Sequence, residues 1–285
     1  GINKEVINQP EKDLFWLKND SYQNSHFDIL SKSIRSSLIG ARNCGLLLSG
    51  GVDSTVVAIA CSDNGPIKRA YTLTYPLGDD PELEQAKKTA KHLNYEHIIV
   101  NLDINTCCEI SNNLASIIDY PNPDSSIIPT TLIAFEASKN DTILLTGDGG
   151  DEMFGGYNRY RHFVKLFSKI FTISPFFIKK KILKKYLSNF HTQINNHKEF
   201  NFDIVDKLST MNLDLLSNMC ILDESLYMVQ HTLPKADRAL MYSSMEGRAP
   251  LLNNQIRTLG SIYRKNDTGK CDKYFLRSYI RNNIK

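Results

Sequence analysis

The chain has 285 residues, enough for one large α/β domain or two smaller ones, and 41% hydrophobic residues are enough to bury a core. A formal net charge of +3 is too mild to demand nucleic acid as a partner, and no stretch reaches the roughly 18 apolar residues that a membrane-spanning helix needs. Six cysteines form no C-x-x-C pair and show no His spacing of the kind zinc sites use, which predicts a reduced, cytoplasmic chain.

The opening Gly1-Ile2-Asn3-Lys4-Glu5 carries charge and no apolar leader core. Gly1 in place of Met suggests a processed start or a piece of a longer product. Phe27, Leu30, Ile34 and Leu38 recur at helical spacing and predict a helix up to Gly40. Leu46 to Leu48 reads as a strand buried on both faces, followed by a packed helix over Val56 to Ala60. Further strands are expected at Ile67 to Tyr75, His97 to Val100 and Thr142 to Thr146. Helices near Pro81 to Leu93, 105 to 119 and 129 to 138 alternate with them, and a Pro-rich loop spans Tyr120 to Asp124. This alternation predicts an α/β fold with a doubly wound parallel sheet.

From Asn158 onward strand signals fade. Apolar residues recur at helical spacings through 163 to 187, 203 to 230, 233 to 245, 252 to 262 and 271 to 281. The expected organisation is an N-terminal extension over 1–26, an α/β core over 27–157 and a helical region over 158–285 that completes the site. The lysines at 179 to 181 and at 184 and 185 read as a solvated helix face.

Two segments carry chemistry. In Leu48-Ser49-Gly50-Gly51-Val52-Asp53-Ser54, paired glycines after a buried strand let the backbone approach a ligand, and the helix that follows points unpaired N–H groups at an anion. Ser49 and Ser54 add hydroxyl donors for phosphate oxygens. Asp53 so close to a polyphosphate requires a cation, which makes it a Mg²⁺ ligand candidate. No Lys follows the glycines, so this is not the G-x-x-x-x-G-K-[ST] loop. The second segment, Thr146-Gly147-Asp148-Gly149-Gly150-Asp151-Glu152-Met153-Phe154-Gly155-Gly156-Tyr157, should emerge at the same carboxyl edge of the sheet, where ligands of open α/β sheets bind. Its three acidic side chains call again for Mg²⁺ or a cationic substrate.

The first segment resembles the loop of the N-type ATP pyrophosphatases, and the second resembles the S-G-E-G-x-D-E-x-F-G-G-Y signature of the asparagine synthetase family. Further agreement lies at Asp124-Ser125-Ser126, Pro129-Thr130, Leu233-Pro234-Lys235-Ala236-Asp237-Arg238, Glu246-Gly247-Arg248-Ala249-Pro250-Leu251 and Lys273-Tyr274-Phe275-Leu276-Arg277. The resemblance runs from about residue 25 to the C-terminus. It implies an adenine nucleotide alpha-hydrolase-like core that cleaves ATP between its α and β phosphates. It also implies Mg²⁺ on Asp53 and Asp151, and nucleotide against the backbone of Leu48, Leu73, Thr146 and Gly147. Asp148 stands where the family usually has Glu, linked there to adenylate formation, and where β-lactam-forming relatives have Tyr. A carboxylate favours amide formation over ring closure.

Two departures from the family pattern matter. The catalytic Cys and glutaminase domain of glutamine-using members are not in this sequence, so ammonia or an amine would come from solution, a separate glutaminase or another partner subunit. The family's R-x-K-x-x-F lysine is also missing, which leaves Lys270 or Lys273 as the substitute, a cation from a partner chain, or a chain that is a compromised fragment. Lys273 is taken as catalytic with Asp148; its alternative is a solvated lysine on a C-terminal helix. Asp237, Arg238, Glu246 and Arg248 have the alternative of bracing helix ends. The expected activity is ATP-dependent ligation of a small-molecule carboxylate, through its acyl-adenylate, to ammonia or an amine. Intramolecular ring closure and a nucleotide-binding subunit that needs a partner stand as alternatives. Nucleic acid and membrane are not expected partners.

Overall fold

A computed structural model describes residues 20–62, 65–75, 80–119, 124–190, 203–266 and 271–284. The first helix, α1 (Asp20–Ser36), leads into β1 (Cys44–Leu47) and α2 (Val52–Cys61). Next come β2 (Ile67–Thr74), α3 (Pro81–His92), β3 (Glu96–Asn101), α4 (Ile104–Asn112), α5 (Leu114–Ile117), α6 (Ile127–Ser138) and β4 (Ile143–Leu145). A short α7 (Gly150–Phe154) precedes α8 (Asn158–Ile173), α9 (Phe176–Phe190), α10 (Asp203–Thr210) and α11 (Leu215–Leu222). A π-helical segment, Asp223–Thr232, runs on into α12 (Leu233–Tyr242), and β5 (Glu246–Arg248), α13 (Asn254–Asn266) and α14 (Tyr274–Asn283) complete the order.

The sheet order is β3-β2-β1-β4-β5, and every pairing is parallel. From β1 the chain winds outward through β2 and β3, then crosses back to β4 on the other side. The topological switch point therefore lies between β1 and β4, where open parallel sheets form their ligand crevice. Helices cover both faces. One core joins α1, α2, α13 and α14 to β1 through Leu30, Ile34, Val56, Leu46 and Phe275; the opposite one sets α6 and α12 against Tyr71 and Leu144. This is the expected doubly wound arrangement.

The four expected strands are present, and a fifth was not anticipated. Glu246–Arg248 pairs with β4 at the sheet edge although it follows a long helical stretch. Its three residues include no apolar side chain, so neither alternation nor a buried run marks it. Arg248 secures it from both sides, bonding Glu246 and donating to the carbonyl of Ile39 at 3.1 Å. The helix expected over 105–119 is interrupted at Asn113, and the pattern over 163–187 divides at Ser174-Pro175, since Pro175 has no N–H to continue a helix. The Tyr120–Asp124 loop, apart from Asp124, and Lys270 lie outside the described residues, as do residues 1–19 of the expected extension.

A further core packs α8 to α11 around Asp223, a carboxylate with no solvent exposure. Its Oδ2 accepts from Arg159 Nη2 at 2.6 Å and from the hydroxyls of Tyr160 and Tyr186, each at 2.7 Å. Removing one member of a buried charge pair strands the other, at a cost of about 3 kcal/mol or more. Asp223→Ala is therefore expected to lower unfolding stability by about that amount in urea titrations, whereas a loss within error would show the Arg159 guanidinium is satisfied without it.

Candidate active site

The loops after β1 and β4 meet over the switch point. Leu48 N donates to the Tyr71 carbonyl at 2.8 Å, and the Leu48 carbonyl accepts from Thr72 Oγ1 at 2.6 Å, so the chain is held to β2 just before it turns. Gly50 then takes φ +81°, and a Cβ there would run into the Glu82 carbonyl, a position only glycine fills without strain. Within the loop, Ser54 Oγ donates to the Gly51 carbonyl at 3.2 Å and lies 3.1 Å from Ser49 Oγ. Gly51 caps α2 with no side chain, which leaves the first N–H groups of a ten-residue helix directed at the crevice.

Asp53 stands in the first turn of α2, Asp151 in α7 and Lys273 at the N-terminus of α14. Lys273 Nζ lies 2.5 Å from Asp53 Oδ2 and 2.9 Å from Asp151 Oδ1. The lysine side chain is 11% exposed, so it is not on a solvated helix face. Burial pushes the Asp53 carboxyl up to about 6 in spite of Lys273, with Asp151 and Asp148 adding repulsion. Burial alone would lower the pKa of Lys273, but the two carboxylates outweigh it and hold the ammonium charged. Gly150 and Gly156 have to be small here, because a Cβ on either would collide with Asp53 or with Lys273.

A cleft of about 220 Å³ opens on the two carboxylates of this triad. Ser49, Gly51, Asp53, Ser54, Gly147, Asp148 and Asp151 line it. Asp148 is oriented by Thr146, whose Oγ1 donates to Oδ2 at 2.8 Å. Leu48 is buried in the core, and Leu73 packs on β2 against the opposite core, so neither side chain reaches the cleft. Six lining residues were not anticipated as site residues: Leu47, Gly149, Glu152, Tyr157, Met228 and Thr232. Glu152 is pushed up to about 7 by burial, although the Tyr157 hydroxyl donates to it at 2.7 Å. Met228 and Thr232 come from the π-helical segment, whose apolar spacing looks like any helix in the sequence.

Two further segments far apart in sequence converge, with Lys235 Nζ donating to Ser126 Oγ at 2.7 Å and pairing with Asp124 at 3.1 Å. Arg238 pairs with Asp119 at 3.2 Å and Arg248 with Glu246 at 2.7 Å, both bracing contacts away from the cleft. Among the described residues no group of three or more His, Cys, Asp or Glu is placed to hold a metal ion, and no helix is long and apolar enough to cross a membrane.

The family model described as asparagine synthase matches residues 27–284. The chain belongs to the asparagine synthase family. It is 27% identical to glutamine-hydrolyzing asparagine synthetase 1 of Bacillus subtilis, over 88% of this chain and 46% of that protein. It is 28% identical to the human glutamine-hydrolyzing asparagine synthetase, over 48% of this chain and 26% of that one. The chain thus spans about half the length, or less, of these curated relatives. A solved ammonia-dependent NAD synthetase from Campylobacter jejuni is similar at 15% identity and a TM-score of 0.34, over 78% of this chain and 93% of its own, too loose a likeness to carry argument.

Replacing Lys273 by Met leaves Asp53 facing Asp151 without a counter-ion and raises the Asp53 pKa further. A folded-state pKa above the unfolded value means the folded protein binds the proton more tightly, so stability falls as pH rises. In EDTA, the Lys273→Met deficit relative to the parent chain is expected to be about 3 kcal/mol at pH 8 and clearly smaller at pH 5. Equal deficits at the two pH values would show that Asp53 titrates independently of the lysine.

Proposed function

We propose that the chain is an ATP-dependent ligase of the amide-forming, AMP-releasing kind. The observation that carries this reading is the convergence of the Ser49–Ser54 loop, Asp148 and Asp151 on one cleft at the switch point, with Lys273 paired to two of its carboxylates. In this reading the β and γ phosphates lie on the N-terminus of α2, receiving bonds from its free N–H groups and from the Ser49 and Ser54 hydroxyls. A substrate carboxylate attacks the α-phosphate, the bond to the β-phosphate breaks, and pyrophosphate leaves onto this loop. Ammonia or an amine then attacks the acyl carbon, and AMP departs with the bonding pair, leaving an amide.

Asp53 and Asp151 suit Mg²⁺. Asp53 Oδ1 is buried and has no hydrogen-bond partner, and Asp151 faces it across Lys273. Two carboxylates are the usual protein share for this ion, with phosphates and water completing its shell. When bound, Mg²⁺ would offset the charge of the pyrophosphate against these acids. In this reading Asp148, which accepts from Thr146, takes the proton that the attacking amine loses. Lys273 supplies a fixed positive charge in a site with little water, where it counts for more than at a surface.

Asp148 also bears on the alternative of ring closure. A carboxylate in place of Tyr favours an external amine, so the intermolecular amide is the reading preferred.

The test is to incubate the pure chain with MgATP, ammonia and a panel of carboxylic acids. Carboxylate-dependent release of AMP and pyrophosphate is expected, with Asp53→Asn lowering it on the order of a hundredfold or more. Release of ADP and phosphate instead would overturn the adenylate mechanism. Turnover seen only after adding a co-expressed partner would assign the chain to a multi-subunit ligase.

A further inference from the structure

Between Asn158 and Phe190 the sequence has nine lysines and arginines and no aspartate or glutamate. The chain as a whole is +3, so against +9 for this segment the remainder carries −6. The structure makes the segment an antiparallel hairpin: Lys179 lies over the Phe171 ring, Lys185 over Phe167, and Phe163 packs on Tyr186. The inner face, with Phe163, Phe171 and Leu183, is buried in the core around Asp223.

The outer face is not buried in this way. Leu166, Ile170 and Ile173 follow one another at helical spacing along α8 and are all exposed, Ile173 to 85%. Phe176 and Phe177 continue this apolar surface around the elbow, both more than half exposed. Lys165 and Lys169 border the stripe on α8, and Lys181 and Lys184 follow on α9. Of the nine basic residues, Arg159 faces inward to Asp223, and Lys180 pairs with Asp206 of α10.

We propose that the α8–α9 elbow docks this chain onto an anionic lipid bilayer surface. A helical element with aromatic and aliphatic groups on one side and lysines beside them lies in the headgroup region, inserting the apolar groups while the lysines meet anionic headgroups. Charge complementarity selects an anionic surface. The aliphatic tip selects lipid over nucleic acid, because Ile173 and Ile170 neither stack on bases nor bond phosphates, whereas in a bilayer each buries apolar area. The exposed groups also cluster on a helix-turn-helix tip, a shape that enters a soft interface. This departs from the expectation that the lysine cluster is only a solvated face and that no membrane is involved.

The test is flotation of the full chain with vesicles of phosphatidylcholine containing about one quarter phosphatidylglycerol. Binding is expected with these vesicles and not with pure phosphatidylcholine, and it should weaken markedly between about 0.1 and 0.5 M salt as screening grows. Combining Ile173→Ser, Phe176→Ser and Phe177→Ser should abolish flotation with the circular dichroism melt unchanged. Lys165→Gln with Lys169→Gln should weaken it by roughly tenfold or more. No flotation of the folded parent chain, or flotation unaffected by the serine substitutions, would overturn the proposal. So would a dimer in light scattering that the serine substitutions dissolve without vesicle binding, or tighter binding to a single-stranded oligonucleotide than to the anionic vesicles.

Discussion

One ammonium group between two carboxylates holds the site together. Lys273 reaches Asp53 and Asp151 from a helix more than a hundred residues downstream of either, and it fixes the starts of α2, α7 and α14 against one another. None of the three charges is well solvated, so each is tolerated only because the others are in place. The glycines of the second loop follow from this. Gly150 and Gly156 lie against Asp53 and Lys273, so they serve the approach of these side chains to one another. The richness in glycine that reads in sequence as room for a ligand is also room for an ion triad.

The parallel sheet determines where that triad can form. Because β1 and β4 are neighbours while β2 and β3 lie to one side, the two motif loops leave the sheet side by side although nearly a hundred residues separate them. The far wall of the cleft has a different origin. Met228 and Thr232 belong to a π-helical segment that starts at Asp223, and Asp223 is bound by Arg159, Tyr160 and Tyr186 from α8 and α9. A buried carboxylate outside the cleft thereby sets the position of residues inside it. Arg159 also stacks on Tyr157, a cleft residue, at 3.7 Å from the ring centre.

Which parts were legible in the sequence follows from which interactions are local. The strand, loop and helix at Leu46 to Ala60 are specified by adjacent residues, and so is the acidic second loop, so both could be read directly. β5 could not, because its three residues are a strand only through pairing with β4 and the Arg248 contacts to α1's end. The π-helical segment was equally hidden, since spacing of apolar residues does not distinguish a shift of one residue per turn in backbone bonding. Lys273 fell between these cases. A lysine at a helix start is solvated far more often than buried, and only the approach of two aspartates from other elements changes that.

The distribution of charge adds a constraint on how the two ends of α8 work together. The cleft is lined by four acidic residues at the N-terminal end of α8, and the basic elbow is at its C-terminal end. A helix of 16 residues separates them by about 24 Å. Screening at physiological salt acts over about 8 Å, so anionic headgroups at the proposed docking elbow would exert little repulsion on the ATP proposed to bind at the cleft. The proposed docking of the elbow on a negatively charged surface is therefore compatible with the proposed negatively charged substrate, and the length of α8 is what keeps the two requirements independent.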